Sequence, residues 1–146
     1  MKVTQAVDFH LQYHRANSKK NTVKTSEFVL SRFAVQFSDR ELASISQEEV
    51  LDFLLTLTKD NKQATKRNRY SVLSAFYNFS INTGLPSLAN PCNTTVIKKI
   101  FRRPPPIQWQ IVDKDTIDEI IFRTTDKRNR LMLELMARGG MRVGVC

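Results

Sequence analysis

The sequence predicts an all-α fold: a small bundle of four to five helices over 1–103, followed by a second helical segment over 104–146. Three features point there. Residues 1–83 contain neither glycine nor proline, a run that few architectures other than helices sustain. Apolar residues recur at spacings of three and four, which places them on one helical face. Strand-like alternation is confined to the short stretch Ile107–Ile111, so no sheet is expected.

The elements follow in order. Residues 3–16 are expected to be helical, although Val3, Val7, Phe9, Leu11 and Tyr13 fit no single face well. Val23, Leu30, Phe33, Ala34 and Phe37 mark one face of a helix over 21–37, with Asn21 or Thr22 as its cap. Ser46 and Glu49 have the spacing of a capping box, opening a helix that turns Val50, Phe53, Leu54 and Leu57 inward. Leu73, Phe76, Phe79 and Ser80 form the stripe of a helix over 63–82 that stops at Gly84. Beyond the linker, Asp113 caps a short helix with Ile117, Ile120 and Ile121 inward. A last helix over 127–138 carries Leu131, Leu135 and Met136 and ends at Gly139-Gly140.

The division between the two segments is compositional. All five prolines lie at or beyond Pro86, and the run Arg102-Arg103-Pro104-Pro105-Pro106 reads as a stiff, extended linker. Charge divides at the same place: residues 1–103 hold 16 basic and 8 acidic residues, net +8, whereas 104–146 hold 7 and 6, net +1. The whole chain carries +9 with a pI near 9.9, which favours a polyanionic partner over an acidic substrate. Two cysteines without a CxxC pair, charged residues throughout the first twenty positions and no apolar run of roughly 18–20 residues exclude secreted and membrane-spanning classes. A cytoplasmic location is expected.

The most promising chemistry lies at 62–69. Lys62, Lys66, Arg67 and Arg69 stand beside Thr65 and Asn68, mixing cations that neutralise phosphates with groups that donate to phosphate oxygens or read base edges. A solvated basic face is the plain alternative. Lys98, Lys99, Arg102 and Arg103 form a second basic group, whose plain alternative is solubilisation of the linker. His10 and His14 are spaced i, i+4, but no third histidine exists to complete a metal site, so neither metal nor cofactor is expected. Cys92 reads as a small, buried hydrophobe, and the acids at 113–119 as ordinary first-turn residues favoured by the helix dipole. No glycine-rich phosphate loop and no Ser/His/Asp arrangement is present, so no small-molecule substrate is indicated.

The stretch from Leu131 to Gly144 is an apolar helix, a glycine turn and an arginine on a new element. With Gly140-Met141-Arg142-Val143-Gly144, it resembles the tyrosine recombinase (phage integrase) family, whose pattern there is Thr-Gly-Leu/Met-Arg, one residue, then Gly-Glu-Leu. Gly139 stands where threonine is usual and Val145 where glutamate is usual. The likeness extends back through Asp113–Ile117, Asn90-Pro91, Gly84-Leu85 and the helix holding Thr65, Asn68-Arg69, Ser74-Ala75 and Phe76-Tyr77. The resemblance implies a SAM-like core-binding domain over 1–103 and the start of the catalytic domain over 104–146.

In that family a tyrosine attacks a DNA phosphodiester, and two arginines clamp the nonbridging oxygens. Arg142 matches the first of these arginines; a cation placed after a helix C-terminus by the dipole is the alternative. The family's hairpin lysine, His-x-x-Arg segment and nucleophilic tyrosine have no counterpart here, where the only tyrosines are Tyr13, Tyr70 and Tyr77. A truncation, a frameshift or a designed fragment is therefore expected, and the chain alone is expected not to cleave or rejoin DNA. The resemblance thus implies double-stranded DNA as partner, held by Lys24 and Thr25 together with the two basic groups, with other recombinase protomers as a further partner. Isolated binding is expected to be salt-sensitive and in the roughly 10⁻⁴–10⁻⁶ M range. The alternative is a helical interaction module that docks on or inhibits a full-length recombinase.

Overall fold

The computed structural model describes residues 1–142 and 144, and it is all-helical. Its helices are α1 (Val3–Asn17), α2 (Lys20–Gln36), α3 (Gln47–Thr58), α4 (Gln63–Thr83), α5 (Thr95–Ile100), α6 (Lys114–Arg123) and α7 (Lys127–Gly139). Short 3₁₀ turns at Leu42–Ser44 and Pro91–Asn93 complete the regular structure. Among the described residues there is no strand, only an isolated bridge between Lys2 and Glu41. The chain divides into two compact units, Met1–Pro105 and Pro106–Cys146. Val143, Val145 and Cys146, which belong to the Arg142 motif, its departure and the cysteine count, lie outside the described residues.

The first unit holds α1 to α5 around one core. In α1 the buried stripe is Val3, Ala6, Val7, His10 and Leu11, whereas Phe9 and Tyr13 are about half exposed. The stripe has regular helical spacing once Ala6 and His10 are counted as part of it. Phe33 of α2 is fully buried at the centre, with its ring 4.9 Å from Phe37, 5.1 Å from Phe53 and 6.1 Å from both Phe76 and Tyr77. Edge and tilted ring geometries of this kind add to the area term in holding α2, α3 and α4 together.

The ends of these helices follow their chemistry. Ser46 Oγ accepts from the Glu49 amide at 3.2 Å, and Glu49 returns the bond to the Ser46 amide at 2.9 Å, completing the capping box. The Glu49 carboxylate also pairs with Arg40; that hydrogen bond first, and the Ser46 amide second, hold its pKa down to about 2. α2 departs from expectation: it begins at Lys20, so Asn21 and Thr22 lie inside it, and no side chain caps it. α4 closes at Gly84, whose amide donates to Ser80 O. The segment after Gly84 is tied back by Asn90, which donates to Ser74 O at 3.1 Å and Asn78 Oδ1 at 2.8 Å while accepting from the Cys92 amide at 2.9 Å. Cys92 is fully buried, and burial pushes its thiol up to about 12, an inert state.

In the second unit, Asp113 caps α6 through the Thr116 amide and Asp126 caps α7 through the Asn129 amide at 2.8 Å. α7 ends at Gly140, whose φ of 61° lies in the left-handed region that favours glycine. Ile121 is buried as expected, but Ile120 and Leu131 are exposed, because two helices alone cannot cover a full apolar face. Arg138 bridges the pair, bonding Glu134 on its own helix and Asp118 of α6 at 3.3 Å. Ile107–Ile111 forms no strand, and Ile107, Trp109 and Ile111 are exposed. No helix of the described residues is long and apolar enough to cross a membrane.

Candidate nucleic-acid interface

Residues 66–69 are consecutive on α4, about 100° apart around its axis, so they cannot share one face. The structure sends them to different neighbours. Arg67 turns with Gln63 and Tyr70 toward the end of α5: its guanidinium donates to Phe101 O at 3.3 Å and lies 5.0 Å from the Tyr70 ring centroid. Arg69 turns the other way. It donates to Leu57 O at the end of α3 and to Asn61 Oδ1 at 2.6 Å, and its guanidinium packs 4.5 Å from the Phe28 ring centroid. Both arginines are half-buried and hold the bundle together.

What remains for a ligand is a groove between α2 and α4. Asn21, Thr22, Thr25 and Ser26 of α2 face Asn68 and Val72 of α4 across about 290 Å³ of open space. Thr25 and Asn68, which the sequence singled out separately, are thus brought to one site. The Thr25 hydroxyl donates to Asn21 O at 3.0 Å, which leaves its lone pairs toward the groove's surroundings. Lys24 is exposed on α2 beside Thr25; Lys62, at the N-cap of α4, is exposed, and Lys66 and Thr65 are half-buried one turn on. Asn21, Thr22 and Ser26 were not picked out as ligand-facing, nor were Lys19 and Lys20 just ahead of them. A polar i, i+4 pair at 21 and 25 was the available signal.

Charge adds to the cationic character of the first unit. Four of the first unit's eight acids are paired with cations: Glu27 with Arg15 at 2.8 Å, Glu49 with Arg40, Asp39 with Lys2 at 3.7 Å, and Glu41 with the amino terminus. Among the described residues, Lys24, Lys62 and Lys66 have no carboxylate partner, and neither do Lys98, Lys99, Arg102 and Arg103. Lys98 and Lys99 are exposed in the last turn of α5, where cations offset the dipole, and Arg102 and Arg103 are exposed just after it. Arg142, in the other unit, is exposed two residues beyond Gly140.

The histidines make no comparable site. His10 is buried with both ring nitrogens unpartnered, its ring 4.6 Å from His14 and 4.7 Å from Phe79, while His14 Nδ1 bonds Ser18 Oγ at 2.9 Å. Among the described residues, no three His, Cys, Asp or Glu side chains come together as metal ligands. No protein-family model, curated protein or solved structure matches the chain.

Proposed function

We propose that Met1–Pro105 binds duplex DNA as the SAM-like core-binding part of a tyrosine recombinase, and that the residues from Pro106 open the catalytic domain of such an enzyme. The observation that carries the reading is the polar α2–α4 groove, which joins Thr25 to Asn68, together with lysines of the same unit, Lys24 beside Thr25 among them, that have no carboxylate partner among the described residues. Lysines suit phosphates as mobile point charges, and the threonine and asparagine can address the backbone or a base edge between them. Arg142 takes the position of the family's first clamping arginine in this reading. These 146 residues are expected to form no covalent adduct on a nicked duplex, since Tyr70 and Tyr77 are buried in the bundle core and Tyr13 belongs to an aromatic cluster with Phe79.

The test changes only residues that do not hold the fold. Lys24→Ala, Lys62→Ala and Lys66→Ala, combined, are expected to weaken binding to a labelled duplex of about 30 base pairs in anisotropy titrations. The slope of log affinity against log salt should fall by up to about 2.7 if each lysine meets one phosphate. Equal slopes for the parent and the variant would overturn the reading. A second reading, a module that docks on or inhibits a recombinase, is favoured by one feature. Ile117, Ile120, Ile121, Leu133, Met136 and Ala137 leave an apolar cavity of about 280 Å³ between α6 and α7. Absence of duplex binding at low salt would shift attention there.

A further inference from the structure

The root of the linker is held by α4 itself. Gln63 Nε2 donates to Ile100 O at 3.0 Å and to Arg102 O at 2.9 Å, while Arg67 donates to Phe101 O. Three successive carbonyls at the end of α5 are therefore satisfied by two side chains one turn apart on α4. Phe101 is fully buried, its ring parallel to that of Tyr70 at 5.7 Å with an interplanar angle of 3°. Gln63, Arg67 and Tyr70, at i, i+4 and i+7, form one continuous stripe for this purpose. Side-chain donors on the last carbonyls of a helix replace the bonds that its end would otherwise make to water.

From this we infer that Gln63 is a positioning residue, fixing where Arg102 and Arg103 leave the bundle so that they join Lys62 and Lys66 in one cationic surface. The inference rests on the DNA-binding reading above. Gln63 carries no charge, follows Lys62 directly and touches the backbone of Arg102, so it ties the first basic group to the second without contributing to either. A cation on a frayed segment must be ordered when it meets a phosphate, which costs conformational entropy; one held at its root has less to lose.

Gln63→Met keeps the length and helix propensity of the side chain and removes only the donor. The full chain carrying it is expected to show faster amide exchange at Phe101, whose amide bonds Ile97 O, with circular dichroism and melting of the bundle little changed. Its salt slope for duplex binding should fall by up to about 1.8, the contribution of two phosphate contacts. Arg102→Ala with Arg103→Ala should produce a similar fall, and adding Gln63→Met to that pair should change binding no further. Faster exchange with an unaltered slope overturns the positioning role while leaving the DNA reading intact, provided the lysine variant still loses binding. Unchanged exchange overturns the clamp itself. A parent chain that binds no duplex overturns both. Should Gln63→Met unfold the bundle, Gln63→Asn, which keeps the amide but shortens its reach, is read on the same scale.

Discussion

Arg69→Ala is expected to destabilise the first unit by about 2–3 kcal/mol, enough to lower its melting temperature by about 10–15 °C. The guanidinium satisfies Leu57 O, one of the carbonyls that α3 leaves unbonded at its end, and Asn61 Oδ1 in the turn leading to α4. It also covers Phe28, whose other cationic neighbour, Arg32, lies 3.7 Å from the ring centroid. Removing it orphans polar atoms and uncovers an aromatic ring in one step, at a point where α2, α3 and α4 meet. Arg69→Lys should recover only part of the loss, because an ammonium can bond the two oxygens but does not reproduce the flat guanidinium packed on the Phe28 ring. Lys66→Ala, by contrast, is expected within about 0.5 kcal/mol of the parent. Thermal melts of the three variants check this, and an Arg69→Ala melt matching the parent would remove the structural role. Weak DNA binding by an Arg69 variant would accordingly report a loosened bundle, which is why the lysines are the better probes of the interface.

Arg69 also shows where sequence reasoning loses resolution. Lys66, Arg67, Asn68 and Arg69 look like one basic cluster in a linear string, but a helix distributes them around its axis. Advancing 100° per residue already separates Arg67, on the Gln63–Tyr70 side, from Arg69 and Asn68, on the side of Val72. That much was legible. Which neighbour each side meets was not, since Phe101 lies 34 residues from Arg67 and Leu57 belongs to another helix. Local signals travelled well for the same reason: the Ser46–Glu49 box, the Asp113 cap and the stops at Gly84 and Gly140 depend on residues within one turn. The α2–α4 groove depends on packing, so Thr25 and Asn68 could be named singly but not joined. Helix α1 failed to show its face because Ala6 and His10 were not counted with the apolar stripe, while Phe9 and Tyr13, which were, remain half exposed.

That buried histidine gives the fold a pH dependence separable from its carboxylates. Burial first, and the neighbouring His14 second, hold His10 down at about 4, against 6.5 for a free imidazole. Its ring lies among Phe76 and Phe79 of α4, which offer no charge, and no hydrogen bond receives either nitrogen. The unfolded chain therefore binds a proton that the folded one refuses between these two values. Stability is fully present above about pH 6.5 and declines as pH falls toward 4, by about 2–3 kcal/mol in all. Glu49 acts in the same direction but lower down: its depressed pKa preserves stability above the ordinary carboxylate range and surrenders it as pH falls toward about 2. Melts of the chain between pH 7 and pH 4.5 should thus report His10 before the Glu49–Arg40 pair contributes. His10→Leu, which fills the site without a nitrogen to protonate, is expected to flatten the melting curve over that interval and to match or exceed the parent at pH 7. A variant that retains the parent's full slope from pH 6.5 to 4.5 would place the acid sensitivity elsewhere. The parent's α1, which contributes His10 and packs on both α2 and α4, is the element expected to loosen first, because charging a ring inside its buried stripe opposes the contacts that seat it.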